Sequence, residues 1–155
     1  MAPEDILCVS EIVSECYCFL AKKQGFSDNQ LQGLLSERGT KQCIAKWFDK
    51  YQTFVSEDDS KLLGVLGTEK NDIGELWVLP SHHGRKIGKT LFQKAEQEIA
   101  KAGYPKLTVR TTGYAVPFYK AMGAFVVDQR PCAFGPMKGW NMTYLEKPLQ
   151  TNGDK

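Results

Sequence analysis

Apolar side chains recur at Ile6, Val9, Val13, Cys16, Tyr17 and Leu20, the spacing of one helical face. The pattern predicts a helix over residues 5–22, ended by Gly25. Ser27 and Gln30 stand at the separation of a capping box, so a second helix is expected over 28–37. Thr40 can cap a third, over 41–48. From Tyr51 the period drops to two. Residues 52–56 alternate as a strand, 57–60 form a polar turn and 61–68 return. A second turn at Lys70 and Asn71 leads into a third strand over 72–79, stopped by Pro80. Ile87, Leu91, Ala95 and Ile99 mark an amphipathic helix over 87–102, closed by Gly103 and Pro105. A strand over 106–111 follows, then a helix over 115–122 with Gly123 as its cap. Two late strands, at 126–127 and 140–145, are joined by a Gly/Pro-rich loop over 131–139.

Three helices, three strands joined by tight turns, then helical crossovers: this order implies a mixed α/β (α+β) fold. Its central sheet is mostly antiparallel, with helices on its faces. At 155 residues the chain is sized for a single domain, 1–155, with a core that needs no disulfide or metal. Twenty basic residues stand against 18 acidic ones, so the overall field favours neither nucleic acid nor a membrane surface. The apolar runs are far too short to span a bilayer. The cysteines are Cys8, Cys16, Cys18, Cys43 and Cys132, an odd count without a CxxC pair. They read as reduced thiols of a cytoplasmic protein, each a small buried hydrophobe, and no metal site is expected.

The chemistry concentrates between Glu75 and Phe92. A strand runs into a loop of glycine and positive charge, and then into a helix. A helix's first turn exposes unpaired N–H groups and the positive end of its dipole. Glycine there lets an anion reach the backbone, the recipe for a pyrophosphate cradle. Gly84 and Gly88 flank Arg85, Lys86 and Ile87, with Lys89 and Thr90 next. A nucleotide P-loop is excluded, because the glycines are one residue too close.

Two segments resemble the GCN5-related N-acetyltransferase (GNAT) superfamily. Val78-Leu79-Pro80 matches the family's strand end, and residues 83–88 match its Gln/Arg-x-x-Gly-x-Gly/Ala loop in length. His83 stands for the Gln/Arg, Lys86 for the first glycine, and Gly88 is kept. Some thirty residues on, 114–125 resembles the A-x-x-F-Y-x-x-x-G-F segment, with Thr112 in place of the usual Asn and Ala124 inserted before Phe125. The resemblance spans residues 5–147, with the family's first strand short or missing.

The resemblance implies an N-acetyltransferase with acetyl-CoA as cosubstrate. Main-chain groups of Leu76, Trp77 and Val78 would hold the pantetheine arm, in a slot where this strand splays from the one after the helix. His83, Gly84, Arg85, Lys86, Ile87, Gly88, Lys89 and Thr90 would cradle the phosphates, with Phe118 also on the cofactor side. Lys86 is expected to point outward as a cation. Tyr119 falls at the family's general-acid position, and Glu75 is the candidate base, although some members use only ordered water. His82 and His83 read as loop residues and Asp72 as part of a turn. Trp47, Phe48, Tyr51, Phe26, Phe134 and Trp140 are candidate walls for the acceptor, and the loop 131–139 a lip. No cysteine occupies a motif position, which favours direct transfer in a ternary complex. A non-catalytic CoA-binding module on the same fold is the alternative. The acceptor, a small-molecule or peptide amine, is left open. So is the oligomeric state, a homodimer through the late strands being the candidate assembly.

Overall fold

The structure is a computed structural model that describes residues 3–150. Helices α1 (Ile6–Gln24), α2 (Asp28–Arg38) and α3 (Lys41–Lys50) precede strands β1 (Gln52–Asp58), β2 (Lys61–Glu69) and β3 (Asp72–Val78). Then come α4 (Ile87–Lys101), β4 (Lys106–Thr111), α5 (Val116–Ala121), β5 (Phe125–Pro131) and β6 (Asn141–Pro148). The six strands lie in the order β1-β2-β3-β4-β6-β5. Every pairing is antiparallel except β3 with β4. Among the described residues no strand precedes α1, and no helix is long and apolar enough to cross a membrane.

Local chemistry explains the boundaries. Gly25 ends α1 at φ 73°. Ser27 Oγ accepts from the Gln30 amide at 3.0 Å, and Gln30 Oε1 accepts from the Ser27 amide at 2.8 Å, closing the capping box. The first hairpin turn is tighter than the polar run suggests. It consists of Asp59 and Ser60, both at positive φ, as a two-residue type I′ turn requires. Glu57 and Asp58 belong to β1. Asp72 is not a turn residue either: it opens β3, and its carboxylate accepts from Thr108 Oγ1 at 2.6 Å. The helix expected over 115–122 is shortened by a 3-10 turn at Gly113–Ala115. β5 is much longer than its apolar pair at 126–127, because an exposed edge strand carries polar residues on both faces. Only Cys16 of the cysteines is buried; Cys8 and Cys18 are exposed.

β2 is covered on both sides, so its apolar run is nearly continuous. On one face Val65 packs with Val9 and Val13 of α1 and Ile44 of α3. On the other, Leu66 meets Phe92 and Ala95 of α4, Leu107 of β4 and Leu145 of β6. Gly64 lets α4 come close: a Cβ there would lie 3.1 Å from Leu91 and 3.2 Å from Ile87. This contact sets the start of α4 beside the end of β3.

β3 carries one residue more than its partner requires. Glu75 faces Gly67 and Ile73 faces Thr68, leaving Gly74 as a bulge. A bulge bends its strand and raises the local twist. β3 pairs with β4 only through Asp72–Thr108 and Ile73–Val109, and beyond these the two strands part. The Tyr51 ring covers the bulge; a Cβ on Gly74 would stand 2.7 Å from it. Gly74→Ala is therefore expected to destabilise by roughly 1–3 kcal/mol through overpacking. Urea titration of Gly74→Ala, Tyr51→Ala and the double variant checks this. The double variant should cost less than the sum of the singles.

Candidate active site

The parting of β3 and β4 leaves main chain uncovered. The Leu79 amide donates to Leu63 of β2 at 2.9 Å. Strand alternation then turns the N–H and C=O of Val78 and Leu76 the other way, toward the side β4 has vacated. Trp77 departs from expectation here. Its main chain faces β2, opposite Val65, so its contribution is its side chain. The Val78 carbonyl is taken: it accepts from His83 Nε2 at 2.9 Å and from the Cys16 thiol at 3.2 Å. Its amide is left facing the opening. The Cys16 thiol is pushed up to about 12 by burial, then by Glu15. It stays a thiol, a donor rather than a nucleophile.

The opening runs on into the loop and the start of α4. Gly84 (φ 86°) and Lys86 (φ 64°) both take left-handed conformations. The first helical bond runs from the Thr90 amide to the Lys86 carbonyl at 3.0 Å, and no side chain caps this end. The amides of Ile87, Gly88 and Lys89 thus have no helical acceptor. A Cβ on Gly88 would sit 3.4 Å from the Phe118 ring, ordinary contact distance. Lys86 holds a left-handed backbone, which glycine adopts without strain, and its side chain is exposed. Arg85 is exposed and does not line the cleft. Thr90 turns its hydroxyl back onto the Lys86 carbonyl at 3.0 Å and does not line it either.

Tyr119 is 5% exposed, packed between Phe92 and Phe118, and it lines the cleft. Burial first, then the charges of Glu75 and Asp72, raise its phenol well above the ordinary value. It therefore keeps its proton at neutral pH. Glu75 shows the converse pressure. Burial raises its carboxyl to about 7. The Trp77 indole N–H, donating to Oε2 at 2.5 Å, and the charges of Arg38, Lys50 and Arg110 pull the other way. A carboxyl so placed titrates at the pH where a general base works best.

The whole forms one cleft of about 1040 Å³. It gathers Leu76, Trp77, Val78, His83, Gly84, Lys86, Ile87, Gly88, Lys89, Phe118, Tyr119 and Glu75. Of the suggested acceptor walls, Phe26 and Tyr51 line it. Trp47 is core instead, Phe134 is 79% exposed, and Trp140 supports Phe26 edge-on at 4.8 Å. The side chain of Phe48 lies outside the described residues. The lip loop is set by Gly135 and Gly139, both at positive φ, and contributes Met137 and Cys132 to the lining. Sequence reasoning missed Arg38 and Tyr17. Tyr17 stacks on Trp77 at 4.7 Å, and its hydroxyl lies beside the Arg38 guanidinium. Arg38 is the last residue of α2, where a basic side chain reads as a complement to the helix dipole. Tyr17 was visible only as one more apolar position.

The match to known proteins settles the family. The acetyltransferase (GNAT) domain profile matches residues 22–146. The chain belongs to the GNAT acetyltransferase family. Among solved structures, a GCN5-related N-acetyltransferase from Rhodopseudomonas palustris superposes with a TM-score of 0.87 at 21% identity, over 96% of this chain and 92% of that one. The PaiA N-acetyltransferase from Thermoplasma acidophilum, solved with coenzyme A, gives 0.78 at 21% identity, over 96% and 95%. An aminoglycoside 6'-N-acetyltransferase, also complexed with coenzyme A, gives 0.71 at 13% identity, over 97% and 94%. This GNAT chain shares their overall fold.

Two measurements probe the site. Lys86→Gly relieves a left-handed lysine but loosens the unfolded chain, so it should stabilise by no more than about 1 kcal/mol. Coenzyme A affinity, by calorimetry, should stay within a few-fold, since the exposed lysine side chain adds only a solvent-screened charge at the cleft edge. The second concerns Glu75, which moves from 4.5 unfolded to about 7 folded. The folded state then holds its proton more tightly. Stability is full below the unfolded value and falls as pH rises through the folded one. The cost above that is at most about 3 kcal/mol, less where water in the cleft screens the carboxylate. Glu75→Gln should raise the melting temperature clearly near pH 8.5 and hardly at all near pH 4.5.

Proposed function

We propose that this chain transfers an acetyl group from acetyl-CoA directly to a primary amine, within a ternary complex. The observation that carries this reading is two sets of main-chain donors on one cleft. Among the described residues, the Leu76 and Val78 amides lie beyond the last β3–β4 pair, and the Ile87, Gly88 and Lys89 amides at the start of α4 have no helical acceptor. Amides in a row suit the amide-bearing pantetheine arm, and those at a helix start suit a pyrophosphate. The residues fit the group. Gly84 has no atom within 4 Å of where a Cβ would stand, so a ligand can lie against the loop. Lys86 and Lys89 bring positive charge to the same edge.

When bound, acetyl-CoA supplies the acyl thioester that the amine attacks and the sulfur that leaves. The Val78 amide faces the opening and can donate to an oxygen that gains charge there. The Tyr119 hydroxyl, held neutral by burial, carries the proton that a departing thiolate needs. Glu75, ionised above about pH 7, accepts the proton that the amine must lose. The alternative of a CoA-binding module without turnover drew on Lys86 in the loop. Lys86 takes a left-handed backbone with its side chain exposed, and the alternative leaves the Tyr119 and Glu75 placements without a role.

Acetyl-CoA should raise the melting temperature, by the equivalent of about 2.7 kcal/mol at a hundredfold excess over its dissociation constant. Tyr119→Phe keeps the ring that packs α5 and removes only the phenolic proton. Turnover should fall by about 10²–10⁴, with acetyl-CoA affinity almost unchanged. No thermal shift at millimolar acetyl-CoA would sink the reading. Full turnover by Tyr119→Phe would reassign the acid to solvent.

A further inference from the structure

The acceptor half of the cleft can be read by asking which of its charges are already neutralised. Its carboxylates, Glu75 apart, have partners. Glu69 lies 3.8 Å from Lys50, and Glu146 is 3.0 Å from Lys106. Asp128 is 3.0 Å from Arg130, and Asp72 accepts from Thr108. Arg130 is further occupied by the Tyr144 ring, 4.2 Å away. Apart from Lys86 and Lys89 by the loop, two cations are left over. Arg38 reaches in from α2 and Arg110 from β4; both line the cleft, and among the described residues neither has a carboxylate within 4.0 Å. Glu75 feels both charges, yet hydrogen-bonds to Trp77 instead. Arg38 lies beside the Tyr17 hydroxyl, a neutral partner, and Glu75 acts on it only from beyond ion-pair distance.

We infer that the acceptor is a small primary amine that also carries a carboxylate, the class of free amino acids. The inference rests on the acetyltransferase reading above. The amine is received at Glu75, and the carboxylate lies between Arg38 and Arg110. A guanidinium fork matches a carboxylate with two parallel hydrogen bonds, which gives geometry as well as attraction. Phe26, Leu34 and Met137 line the cleft and pack in one cluster, an apolar surface that suits an apolar amino-acid side chain. A polycationic amine would place further positive charge against both free arginines. The reaction balances without another reagent. The amine nitrogen forms the bond to the acetyl carbon and the thioester bond breaks. The amine proton passes to Glu75, and the sulfur gains a proton to leave as the free thiol.

The test measures coenzyme A release with matched sets: leucine, leucinamide and isoamylamine; phenylalanine, phenylalaninamide and phenethylamine. Phosphoethanolamine and an aminoglycoside complete the panel. The free amino acids should exceed their amides in kcat/KM by about 10–100-fold, the range for charge-assisted bonds. The gap should lie mainly in KM and narrow with salt. Arg38→Met should abolish the preference, and Arg38→Lys, which keeps charge but not the fork, should retain part of it. Amides or bare amines used as well as the acids overturn the acceptor assignment and leave the acetyltransferase reading standing. Preference for the aminoglycoside or for phosphoethanolamine does the same. A thermal shift with acetyl-CoA but no turnover on any compound overturns the acceptor assignment and favours the binding module. Neither shift nor turnover overturns both readings.

Discussion

Two residue pairs hold β3 to β4, and no more. Everything the site offers depends on that short union. Had the strands stayed paired, the Leu76 and Val78 amides would be spent on the ladder. The cause is the extra residue at Gly74, which bends β3 away while β2 keeps hold of its other edge. The bulge tolerates no side chain because Tyr51 lies over it. The same ring lines the cleft. One backbone irregularity thus opens the cleft and fixes a ring of its wall.

α4 depends on a different close approach. Its first turn is pinned to β2 through Ile87 and Leu91 over Gly64, and its body is fixed by Phe92 and Ala95 in the core. The helix can therefore present an uncapped N-terminus without fraying. Uncapped amides cost stability where a side chain would otherwise satisfy them. The chain caps α2 and α3 with Ser27 and Thr40, and leaves α4 bare. Among these helices, the bare start is the one aimed into the cleft.

The elements were largely legible in the sequence, because helix period, capping residues and Gly/Pro stops all act locally. The two motifs also pointed to stretches of chain that line the cleft. What escaped reading was set by tertiary placement. The bulge at Gly74 is a register event between strands, and one glycine in a strand does not announce it. Lys86 is a departure from the motif, and its left-handed backbone, which a lysine holds at some cost, could not be read from the residue type. The Trp77 main chain could not be assigned to a side before the Leu79–Leu63 bond was known. Arg38 lies far from both motifs and joins the site only because α2 crosses over the end of the cleft.

Glu75 shows how the site's chemistry opposes its stability. A carboxylate in this position is desolvated and destabilises the fold once ionised, and Trp77 with the surrounding cations only partly offsets this. A salt bridge from Arg38 would have relieved it and drawn the carboxyl back toward its ordinary range. The structure instead keeps the guanidinium beyond 4.0 Å, next to a neutral phenol. Separation serves both groups. On the proposed reading, Glu75 stays basic enough to take a proton near neutral pH, and Arg38 keeps its fork open to an anion brought by the substrate. An acceptor carrying a carboxylate would complete the pairing that the empty cleft withholds, so that binding itself would relieve the electrostatic imbalance.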